Sequence, residues 1–351
     1  MFIIGLGTAA PANRYTQKQC WDVFVNSAYS KQLSSRSRAI VRKILNGDNG
    51  IDSRHLVLDD LNQAFELTAD DLHARFVKHA PLLATQAAER ALADARLRPD
   101  EIDGILISTC TGYLCPGLTS YVTERLKLRP NVLTFDLVGQ GCGAALPNLR
   151  MAEALLASGK CQHVLCCCVE ICSAAMYFDD DPGVLVSACL FGDGAGAAVV
   201  SSQPNGQRRV EWKTSASLLS PEDRDLLRFE QKAGLLRNIL TTQVPEVASG
   251  HAQKVFNELL DRSEVSPSEI KGWVLHPGGR DVLIALRKRF QLKQWDTRWS
   301  EAVLREYGNL SSPSVLFVLD TALHDSAPSG LWWMSSFGAG FSCHGALLEV
   351  E

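Results

Sequence analysis

The chain has 351 residues, 46% hydrophobic and 21% charged, which is ordinary globular composition and enough length for two cores. A net charge of −4 gives no general attraction to nucleic acid, and no apolar run of 18 residues offers a membrane span. The start, Met1-Phe2-Ile3-Ile4-Gly5, lacks a charged leader and cleavage site, so a cytoplasmic protein without membrane insertion is expected.

Residues 1–12 read as a short buried strand ending in a turn at Ala10-Pro11-Ala12. Residues 16–45 are mainly helical, with a basic second half that includes Lys31, Arg36, Arg38, Arg42 and Lys43. That run is either a solvated helix face or a grip on an anionic group such as the phosphates of coenzyme A. Residues 46–68 look irregular. A long helix then runs from about Asp70 through Pro81 to Ala95, a buried strand from Ile102 to Thr109, and a loop over 112–117 carrying Cys115-Pro116.

A second β-rich run, Asn131-Val132-Leu133-Thr134-Phe135-Asp136-Leu137, turns at Gly139-Gln140-Gly141-Cys142-Gly143 into a helical pattern of Leu146, Leu149, Met151, Leu155 and Leu156. The glycines permit a tight turn, and a helix start beneath Cys142 favours its thiolate. A helix contributes at most about 2 kcal/mol and one pKa unit is about 1.4 kcal/mol, so an ionised nucleophile needs a cationic partner as well. Cys142 is either that nucleophile or a small buried hydrophobe. Val164–Val169 is another apolar strand, 179–183 an acidic loop, and 184–188 the start of a helix or strand. Leu190-Phe191-Gly192-Asp193-Gly194 lacks the Lys-Ser/Thr of a phosphate cradle and reads as a structural turn with close strand packing. The polar stretch 201–207 marks a boundary, giving halves at 1–205 and 206–351.

The eleven cysteines are odd in number and lie mostly in apolar runs, which fits reduced core thiols. No Cys-x-x-Cys pair is present, and His163 and His344 do not complete a zinc set.

The second half repeats the first. Pro99-Asp100-Glu101-Ile102 recurs 168 residues later as Pro267-Ser268-Glu269-Ile270, each after a long amphipathic helix. Gly141-Cys142 is answered by Gly308-Asn309, and Phe191-Gly192-Asp193-Gly194 by Phe337-Gly338-Ala339-Gly340. Two similar α/β halves follow, with their strand-to-helix ends converging on one site. His276 closes the strand Trp273-Val274-Leu275 and enters Pro277-Gly278-Gly279. Asn309 sits at the counterpart of the Cys142 turn. A loop histidine and a helix N-cap are the plain alternatives. Together with Cys142 they form a coherent set: a thiolate to attack a thioester, and two donors for an oxyanion or enolate.

These motifs, Gly-Gln-Gly-Cys142, Leu-Phe-Gly-Asp193-Gly, His276-Pro-Gly-Gly and Glu-Tyr-Gly-Asn309-Leu-Ser-Ser, resemble in order the type III polyketide synthases, the chalcone synthase-like family. The resemblance covers essentially the whole chain. It implies a duplicated thiolase-like α/β/α/β/α sandwich and a homodimer. It also implies an acyl-CoA starter and malonyl-CoA as substrates, and no permanently bound cofactor. Cys142 would be acylated, and His276 and Asn309 would stabilise the enolate formed as malonyl-CoA loses carbon dioxide. By the same resemblance Cys110, Thr111, Cys172, Ala175, Trp212, Arg237, Ser311 and Phe337 fall at the substrate pocket, and Arg36, Arg42, Lys43 and Arg54 at the coenzyme A site.

Some residues depart from the plant pattern. Ala339 replaces a proline of the closing glycine loop, and Cys115 stands where the family often has a methionine reaching into the partner subunit. Cys172 and Ala175 stand where plant enzymes carry threonine. Val210 or Trp212, and Leu236 or Arg237, fall near the two phenylalanines that guard the plant pocket. These features point to the divergent bacterial branch. Small residues at 172, 174 and 175 suggest a channel for a medium or long acyl starter. A ketoacyl-carrier-protein synthase would show His-Gln-Ala-Asn where this chain has Pro277-Gly278-Gly279. A thiolase would use a second cysteine, which Cys343 only faintly resembles. A non-catalytic acyl-binding relative should have lost Cys142.

Overall fold

The computed structural model describes residues 1–206, 209–325 and 327–351; Gln207, the last residue of the polar boundary stretch, lies outside them. Among the described residues nine strands form one sheet. In chain order they are β1 (Phe2–Ala9), β2 (Gly104–Thr109), β3 (Leu133–Val138), β4 (His163–Glu170), β5 (Gly194–Ser201), β6 (Val210–Leu219), β7 (Ile270–Leu275), β8 (Gly330–Gly338) and β9 (Ser342–Val350). The spatial order is β7-β8-β9-β6-β1-β5-β4-β2-β3. The first half supplies β3-β2-β4-β5-β1 and the second β7-β8-β9-β6.

Pairing exposes the duplication. Along β2-β4-β5-β1 the pairs run parallel, antiparallel, antiparallel. Along β7-β8-β9-β6 they do the same. The halves meet where Phe2 pairs with Glu211 and the Trp212 amide donates to the Met1 carbonyl at 2.8 Å. The symmetry fails at one place: β3 has no strand counterpart, because a helix (Arg298–Tyr307) leads into Gly308 instead.

Four helices make the layers: α1 (Ala69–Ala95), α2 (Ala145–Ala157), α3 (Val244–Ser263) and α4 (Ser314–His324). Because successive strand residues face opposite sides, each half-sheet feeds two cores. Leu106, Cys166 and Cys168 point inward to α2 and α4, where Leu146, Leu149, Leu316 and Leu319 meet Val274, Trp332 and Met334 of the second half. Ile105, Ile107, Leu165 and Cys167 point the other way, to Ala84, Ala87 and Ala91 of α1. Trp273, Trp333 and Leu347 pack on Val255, Phe256 and Leu259 of α3. The result is α1, sheet, α2 with α4, sheet, α3: the five-layer thiolase-like sandwich. All eleven cysteines are free thiols. The run at 131–137 does form a strand, but Leu133, Phe135 and Val138 are exposed because β3 is the sheet's edge. No described helix is long and apolar enough to cross a membrane.

The contact of α1 with β1 is close enough to require glycine. A Cβ on Gly7 would lie 2.2 Å from the Ala87 carbonyl oxygen and 2.4 Å from the Ala91 nitrogen. Gly7→Val therefore forces the helix off the sheet, an overpacking cost of about 1–3 kcal/mol. Urea unfolding should show a lower midpoint; an unchanged midpoint would disprove this packing account.

Candidate active site

The Cys142 turn is short and buried. Gly139 and Gly141 have φ of 83° and 57°, a single tight turn (Gly141–Gly143) carries the cysteine, and α2 follows. The end of β8 lies against it: a Cβ on Gly338 would sit 2.6 Å from the Gly143 nitrogen and 3.1 Å from that of Cys142. Ser336 Oγ also donates to the Gly143 carbonyl at 3.0 Å.

One chain of contacts joins the three residues expected from sequence. Ser311 Oγ donates to Cys142 Sγ at 3.2 Å. The Ser311 amide donates to Asn309 Oδ1 at 2.8 Å, and Asn309 Nδ2 donates to the Gly278 carbonyl at 3.1 Å, in the turn that follows His276. The His276 ring stands edge-on to Phe337, with centroids 5.0 Å apart. His276 is 1% exposed, yet neither of its ring nitrogens has a hydrogen-bond partner among the described residues. An unpaired buried polar group ordinarily costs about 1–3 kcal/mol, a cost that a hydrogen bond to a bound molecule would offset.

The electrostatics differ from the expectation of a resting thiolate. Burial pushes the Cys142 thiol up to about 12, only partly countered by the Ser311 hydrogen bond, and pushes the His276 imidazole down to about 3. Desolvation favours the uncharged form of each, and no hydrogen bond joins His276 to the sulfur.

Behind the cysteine lies a carboxylate that the sequence reading missed. Glu170 is fully buried. It accepts from the Cys110 amide at 3.0 Å, Thr111 Oγ1 at 2.9 Å, Ser312 Oγ at 2.5 Å and Cys110 Sγ at 3.3 Å. Burial raises its pKa against those donors. The signal was available: a glutamate ending the otherwise apolar β4. Asp193, also buried, takes bonds from the Val57 amide and from the amide and hydroxyl of Ser173, which makes its turn structural.

Two cavities adjoin the site. A chamber of about 30 Å³ is lined by Cys142, Cys172, Ala175, Thr111, Ser311 and Phe191, and closed by Met176, Leu227 and Phe229. A second cavity of about 710 Å³ shares Thr111, Gly141 and Phe229 with it, and extends past Cys110 and Ala174 to Leu72, Phe76 and Leu236. Cys110, Thr111, Cys172, Ala175 and Ser311 thus all border one space or the other.

Four expectations need correction. Trp212 is 1% exposed in the central core, because its strand β6 faces the α2 and α4 layer; the ring beside Cys142 and Cys172 is Phe191, in the motif read as a turn. Phe337 lines neither cavity but backs His276. Arg237 is engaged with Asp179, Asp181 and Glu230 instead of the pocket. Arg54 is 4% exposed and donates to the carbonyls of Ala188 and Phe191, so it is a buried structural donor and no phosphate ligand. Arg36, Arg42 and Lys43 are exposed on the helix Ser35–Asn46.

A five-layer thiolase-like sandwich with a buried thiol, imidazole and amide at its centre is the framework of a thiol-based condensing enzyme. A family model described as FAE1/type III polyketide synthase-like protein matches residues 10–220, and the chalcone and stilbene synthase C-terminal domain matches 217–348. The chain is 28% identical over 359 residues to the 3,5-dihydroxyphenylacetyl-CoA synthase of Streptomyces toyocaensis, covering 99% of this chain and 89% of that one. Its fold matches that of 1,3,6,8-tetrahydroxynaphthalene synthase from Streptomyces coelicolor with a TM-score of 0.91, at 23% identity and with 100% and 99% of the two chains covered. It also matches PKS-I of the brown alga Ectocarpus siliculosus with a TM-score of 0.89, at 24% identity over 99% and 98%. The chain belongs to the type III polyketide synthase family, acyl-transferring enzymes that use coenzyme A thioesters.

The Ser311 hydroxyl stabilises negative charge on Cys142, and a hydrogen bond to a charged group is worth about 1.5–3 kcal/mol. Ser311→Ala should therefore slow alkylation of Cys142 by iodoacetamide at pH 7 by at least about tenfold, read by peptide mapping. Equal labelling in parent and variant would remove Ser311 from the sulfur's environment.

Proposed function

We propose that Cys142 is the acylated nucleophile of an iterative, decarboxylative condensation. The observation that carries this is the buried imidazole of His276, without a hydrogen-bond partner among the described residues, in the turn that Asn309 and Ser311 link to the buried Cys142. Its ring has the capacity to take the thiol proton as sulfur attacks a starter thioester, and to return it to the departing coenzyme A sulfur. In the next step malonyl-CoA loses carbon dioxide, and the enolate oxygen accepts hydrogen bonds from His276 and Asn309. The enolate carbon attacks the acyl carbon on Cys142, and the sulfur leaves. Ionisation then belongs to the substrate complex, where developing negative charge compensates an imidazolium that burial alone disfavours.

The chamber at Cys142 is the smaller of the two spaces and is walled by Met176, Leu227 and Phe229. The second cavity is apolar along Leu72, Phe76, Leu235 and Leu236. A medium- or long-chain acyl starter would thread past Ala174 into it, each buried methylene contributing about 0.8 kcal/mol before ordering costs. Cyclisation of the extended chain would give a pyrone or a resorcinol-like phenol; the relatives named for dihydroxyphenylacetyl-CoA and tetrahydroxynaphthalene synthesis favour the phenol.

The exposed edge strand β3, with Tyr113 beside Cys115, suits a homodimer contact that would cover the mouth of the second cavity. Arg36, Arg42 and Lys43 are the cations available for the coenzyme A phosphates, in a cytoplasmic enzyme of two halves divided at 205/206.

Two measurements test the reading. Asn309→Ala should lower malonyl-CoA decarboxylation by about 10²–10³ while leaving starter acylation of Cys142 measurable by intact-mass analysis. Unchanged decarboxylation refutes the role. For the starter, kcat/KM should favour decanoyl-CoA over acetyl-, malonyl- and coumaroyl-CoA, and Ala174→Phe should abolish that preference while sparing acetyl-CoA. A parent enzyme that prefers malonyl- or coumaroyl-CoA contradicts the threading of a long chain.

A further inference from the structure

The wall of the chamber opposite Cys142 comes from outside the main sheet. A two-stranded hairpin, Leu227–Lys232 with Leu235–Leu240, pairs only with itself. Its residues Leu227, Phe229 and Asn238 face the chamber. The helix Pro182–Leu190 supplies Val184, Ser187 and Ala188 to the same space. Besides the close packing of Gly183 on the Leu240 backbone, one guanidinium ties the hairpin to the loop that caps this helix. Arg237, with a side chain 10% exposed, donates from Nε to Asp179 at 2.9 Å, from one Nη to Asp181 at 3.0 Å and from the other to Glu230 at 2.6 Å. Asp181 in turn caps the helix, its second oxygen accepting from the Gly183 amide at 2.8 Å. Asp179 accepts from the Asp181 amide at 2.9 Å and lies 3.5 Å from Lys232 at the hairpin tip.

We propose that Arg237 is a positioning residue that sets the size of starter the enzyme accepts, by locking the hairpin against the capped helix and so fixing the chamber near 30 Å³. The inference rests on reading that chamber as acyl-binding space. Three carboxylates on one buried guanidinium make a clamp with fixed geometry, because the planar fork engages each acid through a different nitrogen. Its loss leaves packing contacts and the solvent-exposed Lys232–Asp179 pair to hold the hairpin, which is then free to lift from Cys142. The reacting groups themselves sit on the sheet side and do not depend on it.

The test uses the full-length enzyme with Arg237→Met, Arg237→Lys and Glu230→Gln. The measurements are kcat/KM for benzoyl-CoA and acetyl-CoA starters, decarboxylation of malonyl-CoA without a starter, and tryptic cleavage after Lys232. Arg237→Met should raise the benzoyl-to-acetyl ratio at least tenfold, speed the cleavage at least tenfold, and leave decarboxylation within threefold. Glu230→Gln should shift the ratio the same way by a smaller factor, and Arg237→Lys, which keeps the charge but loses the fork, should fall between the parent and Arg237→Met.

A ratio within twofold of the parent overturns the proposal. So does an equal fall of both starters and decarboxylation, which marks a merely structural residue. If Arg237→Met does not fold, the Glu230→Gln ratio decides alone. Because the readout is a change in ratio between parent and variant, it stands whichever starter the parent prefers. A parent that never acylates Cys142 would instead remove the underlying reading.

Discussion

The constraint on which the centre depends is dryness. Two half-sheets press α2 and α4 between them, and the residues that carry chemistry sit at the rim of that apolar layer, each at 9% exposure or less: Cys142, His276, Asn309, Ser311 and Glu170. In such surroundings every polar group needs a partner or a purpose. The Asn309 side chain has two partners, Ser311 bonds with Cys142, Cys110 and Asn309, and Glu170 is surrounded by donors. The His276 ring has no hydrogen-bond partner among the described residues, in contrast with these neighbours. The low dielectric that makes an orphan imidazole costly also strengthens whatever bond it makes with a substrate oxygen.

Much of this was legible in the chain because duplication wrote it twice. The proline-led repeat at 99 and 267 places two equivalent strands, β2 and β7, and both follow long helices of the outer layers. The pairing of Gly141-Cys142 with Gly308-Asn309 brings the Cys142 thiol and the Asn309 amide to one locus without any long-range contact being known. His276 at the end of β7 follows from the same logic. The match fails where the copies have diverged: a helix replaces the strand that should precede Gly308, and the helical spacing of Trp299, Val303 and Leu304 in 298–307 marks that exchange.

The residues misplaced from sequence fail for a different reason. Trp212 and Arg237 lie outside the motifs that repeat in the sequence, and their side-chain directions depend on a strand face. On β6 Val210 and Trp212 turn to the central core, and beyond a bulge Ala216 turns to the α3 layer. On the hairpin Leu227 and Phe229 turn to the chamber, so Arg237, paired across from Glu230, turns away with it. A shift of one residue in such a strand reverses inside and outside, which is why proximity in sequence to a pocket position was not enough. Phe191 shows the converse. It was read as part of a glycine turn, and the turn is real. The tight packing of Gly192 against the Tyr307 carbonyl is what delivers the ring to Cys142.

These two kinds of wall give the enzyme a division of labour. The sheet side is doubly determined, by repeat symmetry and by glycines such as Gly338 and Gly143 that admit no side chain. The lid side is a hairpin outside the main ladder, held to a helix cap by ion pairs whose carboxylates are partly solvated. Substitutions on the first act on the reacting groups themselves, since a displacement of about 1 Å there costs about 10²-fold in rate. Substitutions on the second change the space available to an acyl chain and leave the thiol, imidazole and amide in place. In this chain the boundary between the rigid wall and the adjustable one runs through the chamber between Cys142 and Phe229.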